Sequence, residues 1–161
     1  MSLNTSELRS GKTLVLGIGN PLMGDDGVGI QAVEMLRTHQ LPGHIHLEAI
    51  ATPGWELPNW LEGWHSVILI DAVQMGQTPG TWRKFQPEEV RFLASHNELS
   101  LHHSNLADGL ALVEALDVLP ESVTLYGVEP ERVDLGSEVS PSVNACIHDL
   151  VTNILYDLGE R

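Results

Sequence analysis

The sequence predicts an α/β fold built on a largely parallel sheet covered on both faces. Three observations predict it. Short apolar runs of strand length recur at 13–18, 66–71 and 123–128. Segments of helical apolar spacing alternate with them, and glycine- or proline-bearing turns stand at the joins. Such alternation is the pattern of strand–helix–strand units that stack helices on both faces of one sheet.

Taken in order, residues 13–18 (TLVLGI) read as a buried strand that feeds a glycine-rich loop. From residue 27 to about 39 the spacing turns helical, with Ile30, Val33 and Leu36 on one stripe. Pro42 and Gly43 stop it, and residues 44–50 form a second strand. Thr52-Pro53-Gly54 is a turn, and residues 55–63 carry Leu57, Trp60 and Leu61 at the spacing of a short helix that admits Pro58 only near its start. Residues 66–71 (SVILID) are the clearest buried strand. Residues 81–85, entered through Pro79-Gly80, read as an edge strand. A helix over 104–116 turns Leu106, Leu110 and Val113 inward, and 123–128 is the last strand. The final helix opens with Ser140 as N-cap and Pro141 in its first position, and carries Val143, Ile147, Leu150, Val151 and Ile154 on one stripe. Residues 1–12 are expected to be a flexible tail and 13–161 a single domain, with no repeat or linker.

A chain of 161 residues can bury one adequate core without staples. Its 42% hydrophobic and 19% charged residues are a globular composition, not a disordered one. Eight Lys and Arg against 22 Asp and Glu give a formal charge of −14. Such a surface repels nucleic acid and anionic lipid and suits a partner with basic segments. Cys146 is the only cysteine, which excludes a disulfide framework and a multi-cysteine zinc or iron–sulfur site. Residues 1–12 lack an apolar signal-peptide core, and the longest purely apolar run, 67–70, is far too short to span a bilayer. A cytoplasmic, monomeric protein without membrane or nucleic-acid partners is expected.

In open parallel sheets, ligands bind outside the carboxyl ends of the strands. That rule directs attention to residues 17–29, GIGNPLMGDDGVG, between the first strand and its helix. A dinucleotide fingerprint would need glycine at position 22, which is Leu22, and the segment lacks the Gly-Lys-Ser/Thr ending of a phosphate loop. Asp25 and Asp26 would also stand where a phosphate should meet the helix end. One of the two carboxylates is expected to cap the helix; the other is surplus to capping and available as a ligand. Asp71 ends the most apolar strand, which delivers a second carboxylate to the same edge at a cost unless it is paired or bound. His102 and His103 precede the next helix, whose N-terminus favours neutral imidazole and so metal coordination. Two carboxylates and one imidazole make a three-ligand set suited to a borderline divalent metal such as zinc or nickel acting as a Lewis acid. The other six histidines show no ligand spacing. Neither H-E-x-x-H nor G-x-S-x-G occurs.

Residues 16–29, LGIGNPLMGDDGVG, closely resemble the opening motif of the hydrogenase maturation endopeptidases. Ile68-Leu-Ile-Asp-Ala72 is similar to that family's second carboxylate strand, and Ser100-Leu-His102 to its histidine element. Tyr126-Gly-Val-Glu-Pro130, Leu135-Gly136 and Val139-Ser-Pro141 resemble its closing strand, loop and last helix. The resemblance implies a three-layer α/β/α sandwich with about five strands, and a cleft where Asp26, Asp71 and His102 act as catalytic metal ligands. His102 is preferred to His103 because it matches the Ser-x-His of the motif. Gly19, Asn20, Asp25, Gly27 and His103 are then expected to contact substrate. The implied activity is removal of the C-terminal extension from the large-subunit precursor of a nickel–iron hydrogenase after nickel insertion. Nickel is expected to come with the substrate, with no organic cofactor. The alternative is an escort that binds the nickel-loaded precursor without cutting it. Two positions depart from the family pattern: Asp26 stands where Glu is frequent, and Ala51-Thr-Pro-Gly54 replaces a more glycine-rich turn.

Overall fold

The sheet is assembled from two strand faces that sort their side chains by simple alternation. A computed structural model describes residues 4–101 and 105–160. Strands β1 (Thr13–Ile18), β2 (Ile45–Ile50), β3 (Ser66–Ala72), β4 (Trp82–Phe85) and β5 (Ser122–Val128) form one sheet in the order β2-β1-β3-β5-β4. The first four in that order are parallel: Val15 lies beside Leu47 and Ile68, and Leu69 beside Leu125. β4 runs antiparallel at the edge, with Trp82 opposite Val128 and Phe85 opposite Leu125. The α/β sandwich with a mostly parallel five-stranded sheet is therefore as the sequence predicts.

Leu14, Leu16 and Ile18 of β1 join Val67 and Leu69 of β3 and Leu125 of β5 in one apolar cluster. Three helices cover it, α3 (Leu57–Leu61), α4 (Pro87–Ser95) and α5 (Leu106–Ala115), joined by Phe85 of β4 and by Val73, Met75, Leu99 and Leu101 from the loops. The intervening residues Val15, Ile68, Ile70 and Tyr126 face the opposite way. They pack on α2 (Val28–Leu36) and α6 (Pro141–Asp157). Each fully buried aliphatic side chain contributes about 1.5–3 kcal/mol relative to exposure, so the alternation fixes which layer each helix covers.

Two segments differ from expectation. The stretch expected to be a flexible tail contains a short helix, α1 (Thr5–Arg9). The Arg9 guanidinium ties it to the body, donating to the Asn59 carbonyl at 2.9 Å and the Glu62 carbonyl at 3.0 Å. Helix α4 was not expected at all. Its start is nonetheless written locally: Pro87 stands in the first turn, and the Gln86 N–H donates to the Glu89 carboxylate at 3.1 Å. Among the described residues no helix is long and apolar enough to cross a membrane.

The strand order matters for function. The chain leaves β1 toward β2 on one side and leaves β3 toward β5 on the other, so the topological switch point falls between β1 and β3. A crevice outside the carboxyl ends of these two strands is the expected ligand site.

Candidate active site

The loop after β1 is shaped by backbone crowding. The Gly19 backbone has φ +146°, and a Cβ there would stand 1.8 Å from the Asp26 carbonyl oxygen. Only glycine fits where the chain folds back on itself this closely. Further on, a Cβ on Gly29 would lie 2.4 Å from the Ile70 carbonyl oxygen and 2.6 Å from that of Ile18. The start of α2 thus rests directly on the ends of β1 and β3. This close approach brings Asp26, in the 3₁₀ turn Gly24–Gly27, to the switch point.

Asp26 is 5% exposed, and its Oδ2 accepts the Asn20 N–H at 2.9 Å. Asn20 is itself folded into the turn, since its side-chain oxygen accepts the Leu22 N–H at 2.9 Å, yet the residue remains exposed. Asp71 is fully buried at the end of β3. It continues the alternation of Val67 and Leu69, so it belongs to the sheet face covered by α3, α4 and α5. Leu101 and Leu106, which bracket residues 102–104, are buried in that same cluster. His102 and His103 lie outside the described residues. Among the described residues no group of three or more His, Cys, Asp and Glu is gathered as for a metal ion. What the structure brings to one edge is the carboxylate pair, Asp26 and Asp71.

Asp25 departs from expectation. It neither caps α2, whose N-cap is Gly27 without a side-chain bond, nor faces a substrate cleft. Fully buried, it turns into the loop between β5 and α6. Its Oδ1 accepts the Ser140 N–H at 2.6 Å, and its Oδ2 accepts the Glu131 and Arg132 N–H groups and the Ser140 hydroxyl at 2.8–2.9 Å. Burial pushes its carboxyl up. The backbone donors of Ser140, Arg132 and Glu131, with the Ser140 hydroxyl, outweigh burial and hold it below the usual carboxylate range. Asp25 is thus a clamp between two loops. Ser140 also changes role: its backbone starts α6, but its hydroxyl serves Asp25 instead of capping the helix.

Sequence reasoning did not assign a role to Glu129. It follows β5 directly, is buried, and its Oε2 accepts the Met75 N–H at 2.5 Å, pinning the loop after β3. The Gln74 backbone in that loop exchanges hydrogen bonds with Ser100 at 2.9 and 3.0 Å. The signal was available: a carboxylate ending an apolar strand is the same feature that singled out Asp71.

An open α/β sheet with two buried carboxylates at its switch point, and neither a dinucleotide fingerprint nor a phosphate loop after β1, argues against a nucleotide-binding protein. The comparisons name the family. The hydrogenase maturation protease family model (HycI) matches residues 30–157. The chain is 34% identical to the hydrogenase expression/formation protein HupD of Rhodobacter capsulatus, over 91% of this chain and 71% of that protein. It is 33% identical to the hydrogenase 2 maturation protease of Escherichia coli (strain K12), over 92% of each. The solved structure of the hydrogenase maturating endopeptidase HybD from E. coli superposes with a TM-score of 0.80 at 32% identity, over 91% of each chain. The chain belongs to the hydrogenase maturation protease family, hydrolases of the endopeptidase type.

Proposed function

We propose that the chain removes the C-terminal extension of a nickel–iron hydrogenase large-subunit precursor once nickel has been inserted, acting in the cytoplasm as a monomer. The observation that carries this reading is the placement of two buried carboxylates, Asp26 and Asp71, at the switch point of a family member's sheet. The donor set fits a divalent metal, since paired carboxylate oxygens in a buried setting are ligands that such a cation accepts. His102 is the third donor in this reading, and the burial of Leu101 and Leu106 on the face to which Asp71 belongs supports it.

Nickel is part of the substrate here. When held by these side chains it supplies Lewis-acid polarisation of the scissile carbonyl or activation of a water. The protein's own contribution is to orient. Asp26 is held by the Asn20 N–H, and the Gly19 and Gly27 backbones keep the turn tight enough to present it. Exposed Asn20 borders the site on the substrate side in this reading, and His103 is proposed as a further substrate contact on the strength of its motif alone. Incubating the purified chain with precursor, with and without inserted nickel, tests it by mass. Loss of the extension only in the nickel-loaded sample is expected; a stable complex of unchanged mass would favour an escort instead.

A further inference from the structure

Three of the most exposed large apolar side chains sit on loops at the carboxyl edge of the sheet. Leu22 is 65% exposed, Trp55 77% and Leu135 79%. Leu22 follows β1, Trp55 follows β2 and Leu135 follows β5. Leu22 and Leu135 are joined, because the Gly136 N–H donates to the Leu22 carbonyl at 2.7 Å. Beside Leu22 runs a groove of about 590 Å³ lined by Leu22, Gln31, Ser137, Glu138, Val139 and Asn144. Trp55 stands over the other helical layer, since its 3₁₀ turn packs on α5, where a Cβ on Gly109 would lie 2.8 Å from the Gly54 carbonyl oxygen. Apolar groups thus stand on both sides of the edge that bears Asp26 and Asp71. Isolated exposed leucines are ordinary, but a set gathered at a site edge marks a contact surface.

The charge around them is one-sided. The loop over 129–140 carries Glu129, Glu131, Asp134 and Glu138 against Arg132 alone, and residues 51–56 add Glu56 with no base. Glu56, Glu131, Asp134 and Glu138 are exposed. An acidic rim around apolar anchors selects a partner segment of opposite sign.

We propose that the Leu22–Leu135 ridge and its groove, with Trp55 on the facing loop, dock a segment of the precursor that carries apolar side chains flanked by lysine or arginine. This rests on the processing reading above and adds the surface and the chemistry that select the substrate. The apolar side chains seat on the ridge. The amides of Gln31 and Asn144 offer donors and acceptors to the segment's backbone, and the acidic rim orients its cations.

The experiment uses the full chain and purified nickel-loaded precursor, and reads both equilibrium binding and steady-state processing. The Leu22→Ser/Leu135→Ser variant should raise Kd and KM about ten-fold, with kcat held within about two-fold. Tyr156→Ser, an equally exposed apolar loss at the far end of α6 (71% exposed), should change neither. Glu131→Gln/Glu138→Gln should weaken binding and flatten its dependence on NaCl between about 0.05 and 0.5 M. Wild-type Kd and KM in the leucine variant, or wild-type binding insensitive to salt, would overturn the proposal. A wild-type chain that binds precursor without shortening it would sink the processing reading alone. The Kd of the variants would still decide the docking surface.

Discussion

The Asp25 carboxylate accepts both the backbone N–H of Ser140, at 2.6 Å, and its hydroxyl, at 2.8 Å. One residue of the first loop thereby holds the start of the last helix, and the Glu131 and Arg132 N–H groups complete the clamp. Asp25→Ala would leave these buried donors without an acceptor. A loss of about 3–5 kcal/mol is expected, the range for breaking a buried charged network. Urea unfolding checks it, and an unchanged midpoint would contradict the clamp.

The same carboxylate sets an acid limb of stability. Its pKa in the folded chain is lowered, so the stabilisation is fully present above the unfolded Asp value of about 3.9 and is lost as pH falls through the lower folded value. Thermal unfolding followed from neutral pH downward should show an acid loss in the wild type that is smaller in Asp25→Asn. Parallel curves for the two proteins would remove Asp25 as its source.

Gly29→Ala places a methyl group against the carbonyl oxygens of Ile70 and Ile18. Helix α2 must lift off the sheet, at a cost of about 1–3 kcal/mol for overpacking. Because the 3₁₀ turn bearing Asp26 leads directly into α2, processing should fall further than stability. A variant that melts early yet processes normally would separate the two and contradict this geometry.

Much of this was legible in the sequence, and the misses have physical causes. β1, β3 and β5 announce themselves as apolar runs, and Pro141 marks the start of α6. The placement of Asp71 followed from its position at a strand end. The roles of Asp25 and Asp26 did not, because adjacent aspartates look alike locally. Residues 131, 132 and 140, more than a hundred positions away, decide that Asp25 turns inward. Helix α4 escaped because its apolar face is short, with Val90 alone fully buried beyond Pro87, although Pro87 and Glu89 give a start signal. Leu22 and Leu135 carry no periodic pattern, so their meeting at one edge becomes visible only in three dimensions.

Tyr126 gives an alkaline counterpart to Asp25. Burial, then the hydrogen bond to Asp157 and the charge of that carboxylate, raise its phenol well above the ordinary tyrosine range. A raised folded pKa contributes stability that is complete below the unfolded value, about 10, and is lost as pH rises beyond it. Tyr126→Phe should cost about 1 kcal/mol at neutral pH, from the lost bonds to Asp157 and Asn153. Above about pH 10 the variant should lose stability less steeply than the wild type. Chemical denaturation at neutral and alkaline pH reads both effects, and identical alkaline slopes would contradict them.

The most direct measurement follows the mass of nickel-loaded precursor incubated with the wild type, with Asp71→Asn and with Asp26→Asn, each first shown to be folded by circular dichroism. The wild type should shorten the precursor, and each variant should lose about a hundred-fold or more in rate while keeping a native spectrum. Processing at the wild-type rate by folded Asp71→Asn would contradict a site built on this carboxylate pair.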